Sequence, residues 1–194
     1  MKKSLVMGLI VALTMVFAGC FPISLLLPPA FLPAGGFDTG LGLEMLVAKE
    51  RADLWLVGAQ PRYGFAENAE GILTIATSPM LLVQGAFPLY LEAGGRLKLT
   101  DSPVISLYSG AGLLTVLGDG ESIILPMFRL APTFGFHLAG NTYAFLRGQV
   151  LYVSGPMFVL GLGLSGKHWI LEGSVPLPYD ESGLGMFFAA GVRF

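Results

Sequence analysis

Residues 89–100 read Leu89-Tyr90-Leu91-Glu92-Ala93-Gly94-Gly95-Arg96-Leu97-Lys98-Leu99-Thr100. Leu89, Leu91, Ala93, Gly95, Leu97 and Leu99 fall on one side of an extended chain. Tyr90, Glu92, Gly94, Arg96, Lys98 and Thr100 fall on the other. Successive strand side chains point to opposite faces, so a period of two separates an apolar face from a charged one, whereas a helical period would mix them. The stretch reads as a β-strand between two unlike environments.

The same alternation recurs on both sides of it. Over 122–138, Ile124, Phe128, Leu130, Phe134, Phe136 and Leu138 oppose Arg129, Thr133 and His137. Ala144, Leu146, Val150 and Tyr152 oppose Arg147 and Gln149, and Trp169, Leu171, Val175 and Leu177 oppose His168, Glu172 and Ser174. Turn chemistry separates the runs, as at Glu67-Asn68-Ala69, Asp101-Ser102-Pro103, Gly140-Asn141 and Ser165-Gly166-Lys167. Further breaks fall at Lys49-Glu50-Arg51, Gly118-Asp119-Gly120, Gly155-Pro156 and Tyr179 to Ser182. The division gives ten strands beginning near residues 39, 52, 70, 88, 103, 122, 142, 156, 168 and 183. Eight or twelve strands stay open, because 70–100 can be divided in more than one way. Pro61, Pro79, Pro126, Pro132 and Pro176 fall inside these runs. A closed sheet has no edge for them, so bulges or strand ends are expected there. Gln60-Pro61-Arg62-Tyr63-Gly64-Phe65 and Ala131-Pro132-Thr133-Phe134-Gly135-Phe136 look alike, each just before a tight turn.

Composition decides which way the apolar faces point. Of 194 residues 54% are apolar and only 12% charged, with a mean hydropathy of +0.71. A soluble domain carries about twice that charged fraction. The 27 glycines and 13 prolines interrupting the apolar residues argue against a helical bundle. Apolar faces turned inward would leave a solvent surface poor in charge. Turned outward into lipid, they need none, and the charges then line the lumen. The fold expected over 37–194 is an all-β, antiparallel up-and-down transmembrane β-barrel of about ten strands. Its lumen set is Glu44, Glu92 and Glu172 against Arg62, Arg96, Lys98, Arg129 and Arg147. Aromatic belts are expected from Tyr63, Phe65, Phe134, Phe136, Trp169 and Phe194 at one rim, and from Trp55, Tyr90, Tyr152 and Tyr179 at the other.

The two chain ends are read separately. Met1-Lys2-Lys3, the apolar run Leu5 to Phe17 and Ala18-Gly19-Cys20 make a secretory signal over 1–19. Phe17-Ala18-Gly19-Cys20 resembles the lipobox of bacterial lipoproteins, with Phe17 where that family usually carries Leu. The resemblance implies lipidation of Cys20, and Phe21 after it favours sorting to the outer membrane. Residues 20–36 then form a lipidated N-terminus and an apolar tether with four prolines, lying against membrane or barrel wall. At the other end, Leu184, Met186, Phe188, Ala190, Val192 and Phe194 share one face. This resembles the C-terminal β-signal of outer-membrane barrels, which implies recognition of Phe188, Val192 and Phe194 by the barrel-insertion machinery. In architecture, 37–194 resembles small barrels of the OmpA and OmpW kind.

Net charge is −2, and −4 once Lys2 and Lys3 are removed, with no basic run, which excludes a nucleic-acid partner. The single cysteine excludes an internal disulfide. No metal spacing, nucleophile elbow or phosphate loop is present, so no cofactor, metal or catalytic residue is expected. His137 and His168 fall near turns with a parity that points them inward. The expected role is a non-enzymatic outer-membrane protein, structural or a narrow pore in which small positions at Gly94, Gly110, Gly112, Gly161 and Gly163 leave room for a small solute. The alternatives are a lipocalin-like lipoprotein carrying an apolar ligand and a lipid-modifying barrel enzyme.

Overall fold

The computed structural model describes residues 24–47, 54–83, 87–118, 121–153, 155–177 and 185–194. The signal stretch, Cys20, the breaks at Lys49-Glu50-Arg51 and Tyr179 to Ser182, and Leu184 lie outside the described residues. Ten strands follow one another: β1 (Phe37–Val47), β2 (Leu54–Ala66), β3 (Ala69–Thr77), β4 (Phe87–Asp101), β5 (Val104–Gly118), β6 (Glu121–Ala139), β7 (Thr142–Tyr152), β8 (Pro156–Ser165), β9 (Trp169–Leu177) and β10 (Met186–Arg193). Every strand pairs antiparallel with its sequence neighbour, and β1 pairs with β10, which closes the sheet into an up-and-down barrel. Closure leaves no open edge.

The two mouths differ. Residue 36, the C-terminal Phe194 and the tight connections β2–β3, β4–β5, β6–β7 and β8–β9 lie at one end, the turn mouth. The opposite strand ends, Val47, Leu54, Thr77, Phe87, Gly118, Glu121, Tyr152, Pro156, Leu177 and Met186, lie at the loop mouth, where a short helix, α1 (Pro79–Val83), follows β3. Three of the turn-mouth hairpins carry a register shift just beside the turn, at Gly64/Ala66, Lys98/Thr100 and His137/Ala139. An extra residue there bends the strand and increases its twist into the turn.

Alternation holds around the wall. Leu91, Leu97, Phe128, Leu130, Leu160, Leu162, Leu171 and Phe188 are exposed on the outside, while Glu92, Arg96, Arg129, Arg147 and Glu172 are buried inside. The interior itself has two parts. Towards the loop mouth it is apolar, a cluster of Ala76, Tyr90, Leu114, Val116, Met127, Leu151, Val153, Val159 and Phe187. Towards the turn mouth it is charged.

The prolines find places other than bulges. Pro79 opens α1 instead of lying in a strand, a position that needs no backbone N–H. Pro126 pairs with Leu113 of β5, and β7 ends at Tyr152 opposite Phe128, so no strand faces it on the far side. Pro176 pairs with Val159, while the β9–β10 ladder ends at Ser174. Pro61 and Pro132 sit mid-strand. The β2–β3 ladder passes from Ala59↔Ile75 to Arg62↔Ile72, and the β6–β7 ladder from Leu130↔Val150 to Thr133↔Arg147. Two pairs lapse beside each proline and the register resumes unchanged, as a missing donor without an inserted residue requires.

Candidate functional site

The lumen is occupied by the chain itself. Residues 24–29 are buried apart from the half-buried Leu26, and residues 24–36 join no strand. Leu25 and Leu27, each 1% exposed, pack against Ile72, Tyr108 and Ala131 of the inner wall. Of the proline-rich stretch expected to lie against membrane or barrel wall, residues 24–33 run along the inner side of that wall. They rise from the turn mouth, where the Leu32 N–H donates to Glu70, to mid-barrel, where the Ser24 N–H donates to Glu44 at 2.7 Å.

An extended segment with prolines has more carbonyl acceptors than N–H donors, and each buried carbonyl left without a donor is costly. The inner wall answers with guanidinium groups, which carry five donors and no acceptor. Arg193 donates to Leu26 O at 3.0 Å, Arg147 to Leu27 O at 2.5 Å and Arg96 to Pro28 O at 2.5 Å. Ala30 O accepts from Arg96 at 3.0 Å and from Arg62 at 3.3 Å. Arg96 also lies 4.0 Å over the Phe31 ring, a cation–π contact with the same segment.

The other side of each guanidinium holds a carboxylate. Arg62 and Arg193 share Asp38, at 2.6 and 2.5 Å. Arg96 pairs with Glu70 at 2.6 Å, and Arg147 with Glu172 at 2.5 Å. Higher up, Glu92 accepts from the hydroxyls of Tyr90 and Tyr108 and lies 3.4 Å from Arg129, which also donates to Gln149. A buried charge needs such pairing to be tolerable. The wall thus fixes the arginines with acids and spends their remaining donors on the segment.

Small residues make the space. A Cβ on Gly64 would collide with Pro33 O, one on Gly135 would lie 2.7 Å from Cγ of Pro29, and one on Gly42 would meet Leu26. Gly64 and Gly135 are the glycines of the two look-alike motifs, so that likeness has a shared cause: each seats a proline of the inner segment.

Of the charged set read from sequence, Glu44, Arg62, Glu92, Arg96, Arg129, Arg147 and Glu172 are buried within the barrel. Lys98 keeps the inward parity but stands at the rim, paired with the exposed Asp101 at 2.8 Å. Asp38, Glu70 and Arg193 belong to the network and were not among the residues singled out from sequence. Their parity would have found them, for they share faces with Glu44, Ile72 and Ala189. The glycines read as room for a solute are filled: Tyr108 lies against Gly94 and Gly110, Glu92 against Gly112, Glu172 against Gly161, and Phe145 against Gly163. Tyr90 is 1% exposed and lines the interior instead of a belt; the other expected belt aromatics within the described residues point outward. His137 and His168 stand exposed at the turn mouth, with ring nitrogens 2.6 Å from Gly140 O and 3.2 Å from Arg193 O. Met186, Phe188, Ala190, Val192 and Phe194 are all exposed on the outer face, the last at 72%. Cys20 lies outside the described residues.

Beside Ser24 and Leu26, a cavity of about 30 Å³ is lined by Glu44, Gln60 and Thr74, room for one or two water molecules. Among the described residues no group of three His, Cys, Asp or Glu side chains is placed to hold a metal ion, and no helix is long and apolar enough to cross a membrane. Fold and lumen together define a closed ten-stranded barrel whose inside is held by its own N-terminal segment. Comparison with protein families and with curated proteins finds no match.

Proposed function

We propose that this chain is an exported bacterial outer-membrane barrel with a structural, non-enzymatic role, its lumen closed at rest by residues 24–33. The observation that carries the reading is the outer face. All ten strands turn Leu, Phe, Val, Ile or Met side chains outward, while the ionised groups of the wall are buried within or kept to the rims. Continuous apolar surface of this extent is foreign to a monomer in water and suits hydrocarbon. An open apolar groove of about 690 Å³ on that face, edged by Leu43, Trp55, Leu162 and Phe188 and floored by Gly163 and Gly173, has the form of an acyl-chain seat. Trp169 and Phe194 at the turn mouth, with Trp55 and Tyr152 near the loop mouth, fit two interfacial belts. Lipidation of Cys20 and recognition of Phe188, Val192 and Phe194 by insertion machinery belong to the same proposal. The test is a comparison of boiled and unboiled protein extracted with detergent from purified outer membranes. A heat-dependent change in gel mobility is expected; release without detergent and no change would overturn the reading. As a pore the full chain is expected to be silent in a planar bilayer, because the segment fills the polar half of the lumen.

A second reading draws on the apolar cluster in the loop-mouth half of the interior. A lipocalin-like carrier would place an apolar ligand there. The apolar outer wall counts against it, and a chain shortened by its first twenty residues would then have to stay soluble without detergent.

A further inference from the structure

We propose that the charged half of the lumen is an exchangeable binding channel for an extended, uncharged, proline-containing polypeptide, with residues 24–33 as its resident ligand. The site reads backbone. Its four arginines donate to the carbonyls of Leu26, Leu27, Pro28 and Ala30, and two acids take the N–H groups of Ser24 and Leu32. A segment that presents the same backbone, with small or apolar side chains towards Ile72, Tyr108 and Ala131, would be held in the same way.

Three observations make the occupant separable from its container. Barrel closure uses only the ladder from β1 to β10, and residues 24–36 contribute no strand to it. The segment does not complete the wall's bonding: Arg96 Nε and the Ser106 hydroxyl are buried with no hydrogen-bond partner. A cleft of about 380 Å³ beside Asp38, Arg62 and Arg193 opens at the turn mouth and reaches Pro28 and Ala30, which gives a second chain access to the clamps. Neutrality follows from the pairing. Each of Arg62, Arg96, Arg147 and Arg193 already faces a carboxylate, so a charged ligand would be desolvated without a counter-charge, whereas a carbonyl dipole fits. This inference concerns the inside of the barrel and stands apart from the lipid-facing reading.

The test uses the folded full chain with a protease site inserted between Ala34 and Gly35, an exposed turn at the turn mouth, cleaved after folding. A labelled peptide covering residues 24–36 should replace the resident segment, saturating at one peptide per barrel, with the heat-dependent gel shift retained. A peptide with a thioamide in place of the Leu27 carbonyl is a poorer acceptor for Arg147 and should bind roughly tenfold more weakly, the loss of one charge-assisted hydrogen bond. A peptide with Lys at positions 25 and 27 should not compete. The inference is overturned if the peptide fails to enter a cleaved, folded barrel, or if the thioamide and Lys peptides bind as well as the parent. Because the gel shift reports the barrel separately, failure of the channel is distinguishable from failure of the membrane reading.

Discussion

Arg147 shows how much a single residue carries in the lumen. It is 1% exposed, pairs with Glu172, donates to the Thr133 hydroxyl oxygen at 3.1 Å, and donates to Leu27 O. Arg147→Met would leave Glu172 charged and buried with only Ser174 beside it. The expected cost is about 3–5 kcal/mol of barrel stability, read as a lower midpoint of heat-dependent gel mobility; the double variant with Glu172→Leu should recover most of it. At Gly135, a Leu side chain would occupy the seat of Pro29. Gly135→Leu is expected to leave the barrel heat-modifiable while residues 24–33 become cleavable by an added protease. The inner position of Arg62, Arg96, Arg129 and Arg147 was legible from parity, since the outward-facing Tyr63, Leu97, Phe128 and Leu146 stand directly beside them. Their backbone partners were not. The acceptors on Leu27 and Pro28 are backbone atoms that no side-chain pattern encodes, and Arg147 lies 120 residues from the carbonyl it holds.

At the scale of elements, strand number and order follow from period-two runs punctuated by turns, and the observed starts fall within three residues of the expected ones, from Phe37 to Met186. What the pattern could not supply was the treatment of proline. Bulges or strand ends were expected at the prolines, whereas beside Pro61 and Pro132 the ladders lapse for two pairs and resume in register. Replacing either proline by Ala restores an N–H opposite the neighbouring strand. Pro61→Ala and Pro132→Ala are therefore expected to keep the fold and to change stability by no more than about 1 kcal/mol, the net worth of one hydrogen bond, measured by urea titration in detergent. A shifted register would instead expose Arg62 or Thr133 outward, and cysteine labelling at those positions would reveal it. The side of the wall taken by residues 24–33 was open for a related reason. Their hydrophobicity argues for burial but not for the side of the wall, and only the guanidinium donors arranged within show why the inside wins.

For the whole molecule, one inversion organises everything else: apolar residues outside, ions and the N-terminal segment inside. A soluble barrel of these dimensions would be built the other way round, and its outward positions would tolerate charge. Here Leu171→Arg, on the outer face of β9, should destabilise by roughly 2–4 kcal/mol in a bilayer if that face meets the hydrocarbon centre. The most direct measurement needs no substitution. The chain has two tryptophans, Trp55 near the loop mouth and Trp169 at the turn mouth, both outward and partly exposed at 38% and 39%. Reconstituted into vesicles of lipids brominated along the acyl chain, both are expected to be quenched, most strongly by bromines near the headgroups, and shielded from aqueous acrylamide. Fluorescence indifferent to brominated lipid and quenched by acrylamide would contradict a lipid-facing wall.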